Sequence, residues 1–214
     1  MNELPISYFS FYYIDFLTIS LIHLFAVVSP GPDFIIIVKQ CNSSGRKFAL
    51  FTSFGISLGI LFHISYCILG ISIIQDNIFF MNLVKVLGGL YLFYIGCSSF
   101  LKVNKINSSK IDEKVDQTNY LNSFLLGFIT NVFNPKATLF FISLFSLFIN
   151  ASTPLFVKIF YGFWMSLVTG IWFCLVSLFF TSKIFEIFIS KYSLIIDKIM
   201  GVLLVLFSTK LIFF

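Results

Sequence analysis

Two charged residues directly follow prolines inside apolar segments of the chain. Asp33 follows Pro32 in "SPGPDFIII", and Lys136 follows Pro135 in "NVFNPKATLFF". Proline removes a backbone donor and displaces the carbonyl one turn earlier, so we expect both helices to be broken at these points. A broken helix offers N–H groups to anions and C=O groups to cations. The two breaks therefore predict a polar site within an apolar region.

The first break should be the more pronounced, because Pro30 and Pro32 flank Gly31. Aligning the two breaks on their prolines makes Asp33 and Lys136 counterparts of opposite sign. A lone charge near the centre of a bilayer costs about 3 kcal/mol, so the two residues should pair or share a hydrated cavity. In a functional site, Asp33 would bind a substrate ammonium or a transported proton, and Lys136 a substrate carboxylate. As a structural alternative, they form an ion pair that fixes the bundle.

Four further polar residues interrupt the apolar segments. Asn131 and Asn134 offer amide groups at the second break, either to a substrate or to a hydrogen bond between helices. His63 lies in the middle of an apolar segment, and His23 lies in the first one. Either histidine could relay protons near neutral pH, and either could instead be a packed, hydrogen-bonded side chain.

The composition is that of an integral membrane protein. Of 214 residues, 58% are hydrophobic and 11% are charged, whereas soluble domains carry roughly 25% charged residues. The net charge of +5 does not indicate a nucleic-acid partner, because the basic residues lie in short connectors between apolar segments. The four cysteines are far apart and form no CxxC pair, which gives little support to a disulfide or a zinc site. We expect neither a metal site nor a cofactor.

Six apolar segments are long enough to cross a bilayer as helices. They are continuous apolar runs without strand alternation, which favours an all-α bundle over a barrel. The predicted segments are about 14–38, 48–74, 78–101, 121–149, 157–182 and 193–214.

A polar stretch at 102–120 divides the six segments into two sets of three. We predict a first three-helix repeat at 1–101, a flexible cytoplasmic linker at 102–120 and a second repeat at 121–214. Because each repeat has three spans, the second enters the membrane with the opposite topology. Broken helices at matching positions of inverted repeats indicate the central site of a transporter.

Basic residues predict the orientation of the chain. Basic residues are concentrated in alternate connectors between the apolar segments. The remaining connectors, at 75–77 and 150–157, carry no Lys or Arg, and neither do residues 1–13. Since basic connectors face the cytoplasm, both termini should lie outside. The basic connectors contain nine such residues, Lys39, Arg46, Lys47, Lys102, Lys105, Lys110, Lys114, Lys183 and Lys191.

Three motifs together resemble the LysE/RhtB family of bacterial amino-acid exporters. They are "SPGPDFIIIVKQCNSSGRKFALFTSFGISLGILFH", "LVKVLGGLYLFYIG" and "GFITNVFNPKATLFF". The resemblance implies a six-span inner-membrane protein that exports amino acids or their derivatives, driven by the proton gradient. The positions that match the family signature are Pro30, Gly31, Pro32, Asp33, Gly45, Arg46, Asn134, Pro135 and Lys136.

Two other functions compete with amino-acid export. A metal-cation exporter would favour clustered His, Cys or carboxylate side chains, and Lys136 would repel a cation. An intramembrane enzyme would need a motif such as HExxH or GxGD, which the sequence lacks. We therefore predict a transporter rather than an enzyme, with an amino acid, protons and the lipid bilayer as partners. Gly55 and Gly59 predict close helix packing, within the chain or across a homodimer.

Overall fold

The computed structural model describes residues 6–74, 77–101, 119–149, 153–180 and 183–213. All regular structure in these ranges is α-helical, as the sequence predicts. Residues 102–118 of the predicted linker, with their four lysines, lie outside the described residues. The helices are α1 (Ile6–Val28), α2 (Pro32–Ser43), α3 (Arg46–Ile74), α4 (Ile78–Leu101), α5 (Tyr120–Val132), α6 (Pro135–Phe148), α7 (Leu155–Phe179) and α8 (Lys183–Phe213).

Both predicted helix breaks are present. The chain bends by 48° between α1 and α2 and by 56° between α5 and α6. Pro32 and Pro135 are the first residues of α2 and α6, where a missing N–H costs no helical hydrogen bond. Each proline therefore ends one helix and begins the next.

By length and composition, the part of the chain that the structure describes contains three helices that could cross a membrane, or up to five spans if each bent pair counts as one. Within the described residues, α3, α4 and α7 are each long and apolar enough to cross a membrane. The bent pairs α1–α2 and α5–α6 qualify if each is counted as one span. The sixth span, expected in α8, stays a prediction.

The last helix begins earlier than predicted. Its basic residues place 183–192 in a predicted cytoplasmic connector, but α8 already begins at Lys183. This stretch, "KIFEIFISKY", contains no proline or glycine that would end a helix. Its charged residues therefore lie on a continuous helix rather than in a loop.

The second helix is also longer than predicted and ends at a glycine. It continues to Ser43, and Gly45 follows with φ +93°. The Gly45 N–H donates to the carbonyl of Gln40 at 2.9 Å and satisfies one of the last helical acceptors. A left-handed φ strains residues with a Cβ, which explains the glycine of the Gly-Arg pair at this turn.

The exterior and interior have the polarity expected in lipid. Large apolar side chains are exposed on α3, α4 and α7, whereas many buried residues are polar. Without water, such buried groups must bond to one another. The buried polar residues include Gln40, Thr52, Ser53, His63, Ser123, Asn131 and Ser177.

The central helix α3 packs closely against α5 through two glycines. A Cβ on Gly55 would overlap the backbone of Phe124, and a Cβ on Gly127 would overlap the carbonyl of Thr52. Side chains at either position would force the two backbones apart. The close packing predicted for Gly55 is therefore confirmed, within one chain.

We expect Gly55→Ala to destabilise the protein, because the added methyl group meets backbone atoms that cannot rotate away. The cost should be about 1–3 kcal/mol, as for other overpacked interiors. Thermal unfolding of purified protein in detergent measures it. Gly70→Ala is the matched control on α3, since a Cβ there meets nothing within 4 Å. Equal melting temperatures for the two variants would contradict the prediction.

Candidate functional site

The charge at the first break is held by the second. Asn131 donates its Nδ2 to Asp33 Oδ2 at 2.9 Å, and Asn134 donates its Nδ2 to the same oxygen at 3.1 Å. Both asparagines are buried. The α5–α6 break thus positions one carboxylate oxygen of Asp33 with two amide donors.

Asn134 is able to hold Asp33 because its own side chain caps α6. Its Oδ1 accepts the backbone N–H of Lys136 at 3.0 Å, as an N-cap residue does. That bond fixes the orientation of the amide and leaves Nδ2 to face Asp33. A single side chain therefore begins α6 and binds the other break.

The charge at the second break is held by the first. Lys136 Nζ donates to the carbonyl oxygens of Ala26 and Ser29 at 3.4 Å and 3.1 Å, and to Ser29 Oγ at 3.2 Å. These carbonyls lie at the C-terminal end of α1, where the helix dipole attracts cations. The two breaks therefore exchange charges, since each binds the charged residue that belongs to the other.

A cavity of about 50 Å³ lies between the breaks. This is enough for several water molecules or a small ligand. Its polar lining includes Asp33, Lys136, Asn131, Asn134, His23 and Thr169. Its apolar lining includes Phe34, Ile60, Phe140, Phe141 and Phe173.

Two buried acceptor atoms at the cavity have no hydrogen-bond partner among the described residues. They are the second carboxylate oxygen of Asp33, Oδ1, and the amide oxygen of Asn131. The Asn131 oxygen lies against α3, where a Cβ on Gly59 would be 2.5 Å from it. Asp33 Oδ1 is a charged acceptor, and leaving one unsatisfied inside a protein is costly. A ligand ammonium or a proton would satisfy it.

His63 lies behind the cavity rather than in its lining. Its Nε2 lies 3.0 Å from the backbone carbonyl of Asn131 and its Nδ1 lies 2.8 Å from the Tyr66 hydroxyl. Because a carbonyl can only accept, the ring donates from Nε2 and accepts at Nδ1 when it is neutral. The ring also stacks on Phe141 at 5.5 Å between centroids. His63 thus supports the second break from α3.

His23 lies in the cavity lining. From the sequence alone, a histidine in the site could not be distinguished from one packed between helices. Its Nε2 forms a hydrogen bond of 3.2 Å with Thr169 Oγ1 on α7. Its Nδ1 is buried without a partner among the described residues. A polar group on the ligand could therefore bind this nitrogen.

Sequence reasoning missed two residues, Ser29 in the cavity lining and Asp197 next to it. Ser29 Oγ donates to Asp197 Oδ1 at 2.6 Å, and both residues are buried. Asp197 interrupts the apolar run "SLIIDKIM" of α8, which is the signal that an intramembrane carboxylate gives. Its position near the start of the predicted sixth span made a place at the membrane surface equally consistent with the sequence. In the part of the chain that the structure describes, no three His, Cys, Asp or Glu residues cluster in a way that could hold a metal ion.

Comparison with known proteins matches nearly the whole chain to one family. The family model described as LysE type translocator matches residues 24–213. The threonine efflux protein of Escherichia coli (strain K12) is 34% identical over 139 residues, 63% of this chain and 66% of that protein. The Salmonella typhi threonine efflux protein is 32% identical over 137 residues, with the same shares. The match thus spans just under two thirds of these relatives.

A longer match reaches a relative without an assigned activity. An uncharacterized membrane protein of Haemophilus influenzae is 30% identical over 200 residues, which cover 92% of this chain and 95% of that protein. No solved structure matches this chain.

Proposed function

This chain belongs to the family of LysE type translocators, and on that premise we propose that it exports amino acids or their derivatives across the bacterial inner membrane. The family consists of transport proteins rather than enzymes. Two relatives are named threonine efflux proteins, so threonine is the first substrate to test.

The observation that carries the proposal is the pair of opposite charges in one cavity. An amino acid presents an ammonium, a carboxylate and a side chain, and the cavity lining offers a counterpart to each. Asp33 would bind the ammonium through Oδ1, its oxygen without a partner among the described residues, and Lys136 would bind the carboxylate. Asn131 and Asn134 would keep Asp33 in place, while the aromatic wall would pack against the side chain. Lys136 would repel a metal cation, which favours the zwitterion.

Proton coupling follows from competition for Asp33. A protonated Asp33 cannot attract an ammonium group, and an ammonium bound to Asp33 displaces its proton. If the site opens alternately to each side, a proton that arrives from outside replaces the substrate, which has left the cell. The role of His63 as a relay stays a prediction; its bond to the Asn131 carbonyl supports a position beside this exchange.

We propose that alternating access comes from two inverted repeats, 1–101 and 121–214, joined by a cytoplasmic linker at 102–120. In this arrangement α8 is the sixth span and both termini lie outside. The exchanged charges support it, because a movement of one break against the other would disrupt both sets of hydrogen bonds at once. A substrate or proton in the cavity would then replace them. A homodimer stays a prediction.

The test is efflux from proteoliposomes that contain the purified protein and a mixture of amino acids. We expect an acidic exterior to drive the loss of specific amino acids from the liposomes. Liposomes without protein, and loaded proteoliposomes treated with a protonophore, are the controls. If no amino acid leaves the liposomes, the proposed substrate class is wrong. If the rate of efflux does not depend on the proton gradient, the proposed coupling is wrong.

A further inference from the structure

The charged cluster extends beyond the cavity to the last helix. Ser29 Oγ donates to Asp197 Oδ1 at 2.6 Å and accepts from Lys136 Nζ at 3.2 Å. A hydroxyl has one proton to donate and lone pairs to accept, so Ser29 can make both bonds at once. The two bonds place the carboxylate oxygen and the ammonium nitrogen within about 6 Å, the range in which opposite charges interact strongly.

The two residues at the end of α1 that accept from Lys136, Ala26 and Ser29, are neutral. Their oxygens carry only partial charges, so a carboxylate within about 6 Å adds an attraction for the ammonium group that these oxygens do not provide. Asp33 is turned toward two amide donors, Asn131 and Asn134. The full negative charge of Asp197 reaches Lys136 through Ser29, from a helix that contributes no residue to the cavity lining described above.

We propose that Asp197 is a positioning residue for Lys136: acting through Ser29, it holds the ammonium group at the end of α1, where a substrate carboxylate can reach it. This inference rests on the proposed function and deepens it. It makes α8 part of the recognition machinery. It also assigns a role to Ser29, the residue that precedes the Pro-Gly-Pro break.

The other ionisable groups around Lys136 do not take this role. His23 on α1 bonds to Thr169, and His63 on α3 bonds to Asn131 and Tyr66. Helix α4 contacts α6 farther along, where Gly88 lies against Ser143. This contact is about two helical turns beyond Lys136. The carboxylate of Asp197 is connected to the ammonium group by hydrogen bonds through the Ser29 hydroxyl.

The test compares threonine with 1-amino-2-propanol, which is threonine without its carboxylate. Both are measured as competitors of labelled threonine uptake into proteoliposomes. Wild type should prefer threonine, and Lys136→Gln should lose that preference. Asp197→Asn should reduce the preference about tenfold or more, mainly through weaker threonine binding. Ser29→Ala should reduce it less, and Asp197→Glu, which keeps the charge, should largely retain it.

The preference separates positioning from a general structural role. If Asp197→Asn weakens both compounds equally, or if it changes the preference further in the Lys136→Gln background, the inference is overturned. Asp15→Asn on α1 and Ser208→Ala on α8 are matched changes outside the cavity lining and should leave the preference unchanged.

Melting temperatures test the relay without any transport. Each single variant removes one partner of the Ser29 bridge and changes the net charge of the cluster, whereas the double variant, Lys136→Gln with Asp197→Asn, keeps the net charge of wild type. We expect the double variant to melt no lower than the less stable single variant. A melting temperature lowered by the full sum of the two single effects would overturn the relay. If wild type does not transport threonine but the double variant behaves as expected, the substrate assignment fails and the relay stands.

Discussion

Asp33→Asn should abolish proton-driven export and leave the fold intact. The asparagine oxygen can still accept from Asn131 and Asn134, so the helix breaks should remain in contact. The neutral side chain neither carries a proton nor attracts an ammonium. A lost hydrogen bond to a charged group is worth about 1.5–3 kcal/mol, so we expect exchange of amino acids without a gradient to fall about 10- to 150-fold.

The measurement is efflux from proteoliposomes with and without the gradient, at matched amounts of folded protein. Asp15→Asn, the same change in α1 outside the cavity lining, should transport at the wild-type rate. Normal gradient-driven efflux by Asp33→Asn would show that Asp33 neither binds the substrate nor carries the proton.

Lys136→Gln should weaken the binding of zwitterionic amino acids and spare amines that lack a carboxylate. The glutamine amide can replace part of the hydrogen bonding to Ala26 and Ser29, but it has no charge for a carboxylate. We expect the KM for the exported amino acid to rise about 10- to 100-fold, because a charged hydrogen bond is replaced by a neutral one.

Initial rates over a range of substrate concentrations measure this change. Lys158→Gln is the matched control, since Lys158 is a buried lysine that is not in the cavity lining. If both lysine variants raise the KM equally, the effect is one of stability and Lys136 has no special role in recognition.

The helix breaks and the meeting of the two charges could be predicted from sequence. The effect of proline on a helix is local, so Pro32 and Pro135 fix the positions at which α2 and α6 begin. The high cost of an isolated charge in an apolar environment brings Asp33 and Lys136 to one cavity. Both arguments need only the residue types and the membrane.

The partners of these charges could not be predicted, because they depend on how the helices pack. Opposite signs predict that the two charges pair or share a cavity, but they do not predict that Asp33 accepts from two amides or that Lys136 donates to carbonyls at the end of α1. The contact between Ser29 and Asp197 joins residues 168 positions apart. The pattern of residues within α8 does not predict that the side chain of Asp197 faces the first break.

The start of α8 shows a related limit. Charged residues at 183–192 indicate a connector by the usual count of basic residues between spans, although the same residues fold as a continuous helix. Charge predicts position relative to the membrane better than it predicts secondary structure. The N-terminal end of α8 should therefore extend beyond the apolar layer of the membrane.

Ligand binding to the purified protein tests the central claim most directly. The claim is that the cavity between the breaks binds an amino acid through both of its charged groups. We would measure the melting temperature in detergent with each common amino acid, and then with the amine and the acid that correspond to any that bind. The account predicts that at least one amino acid stabilises wild type, that neither analogue does so at the same concentration, and that Asp33→Asn removes the effect. Equal stabilisation by an analogue, or by the amino acid in Asp33→Asn, would contradict it.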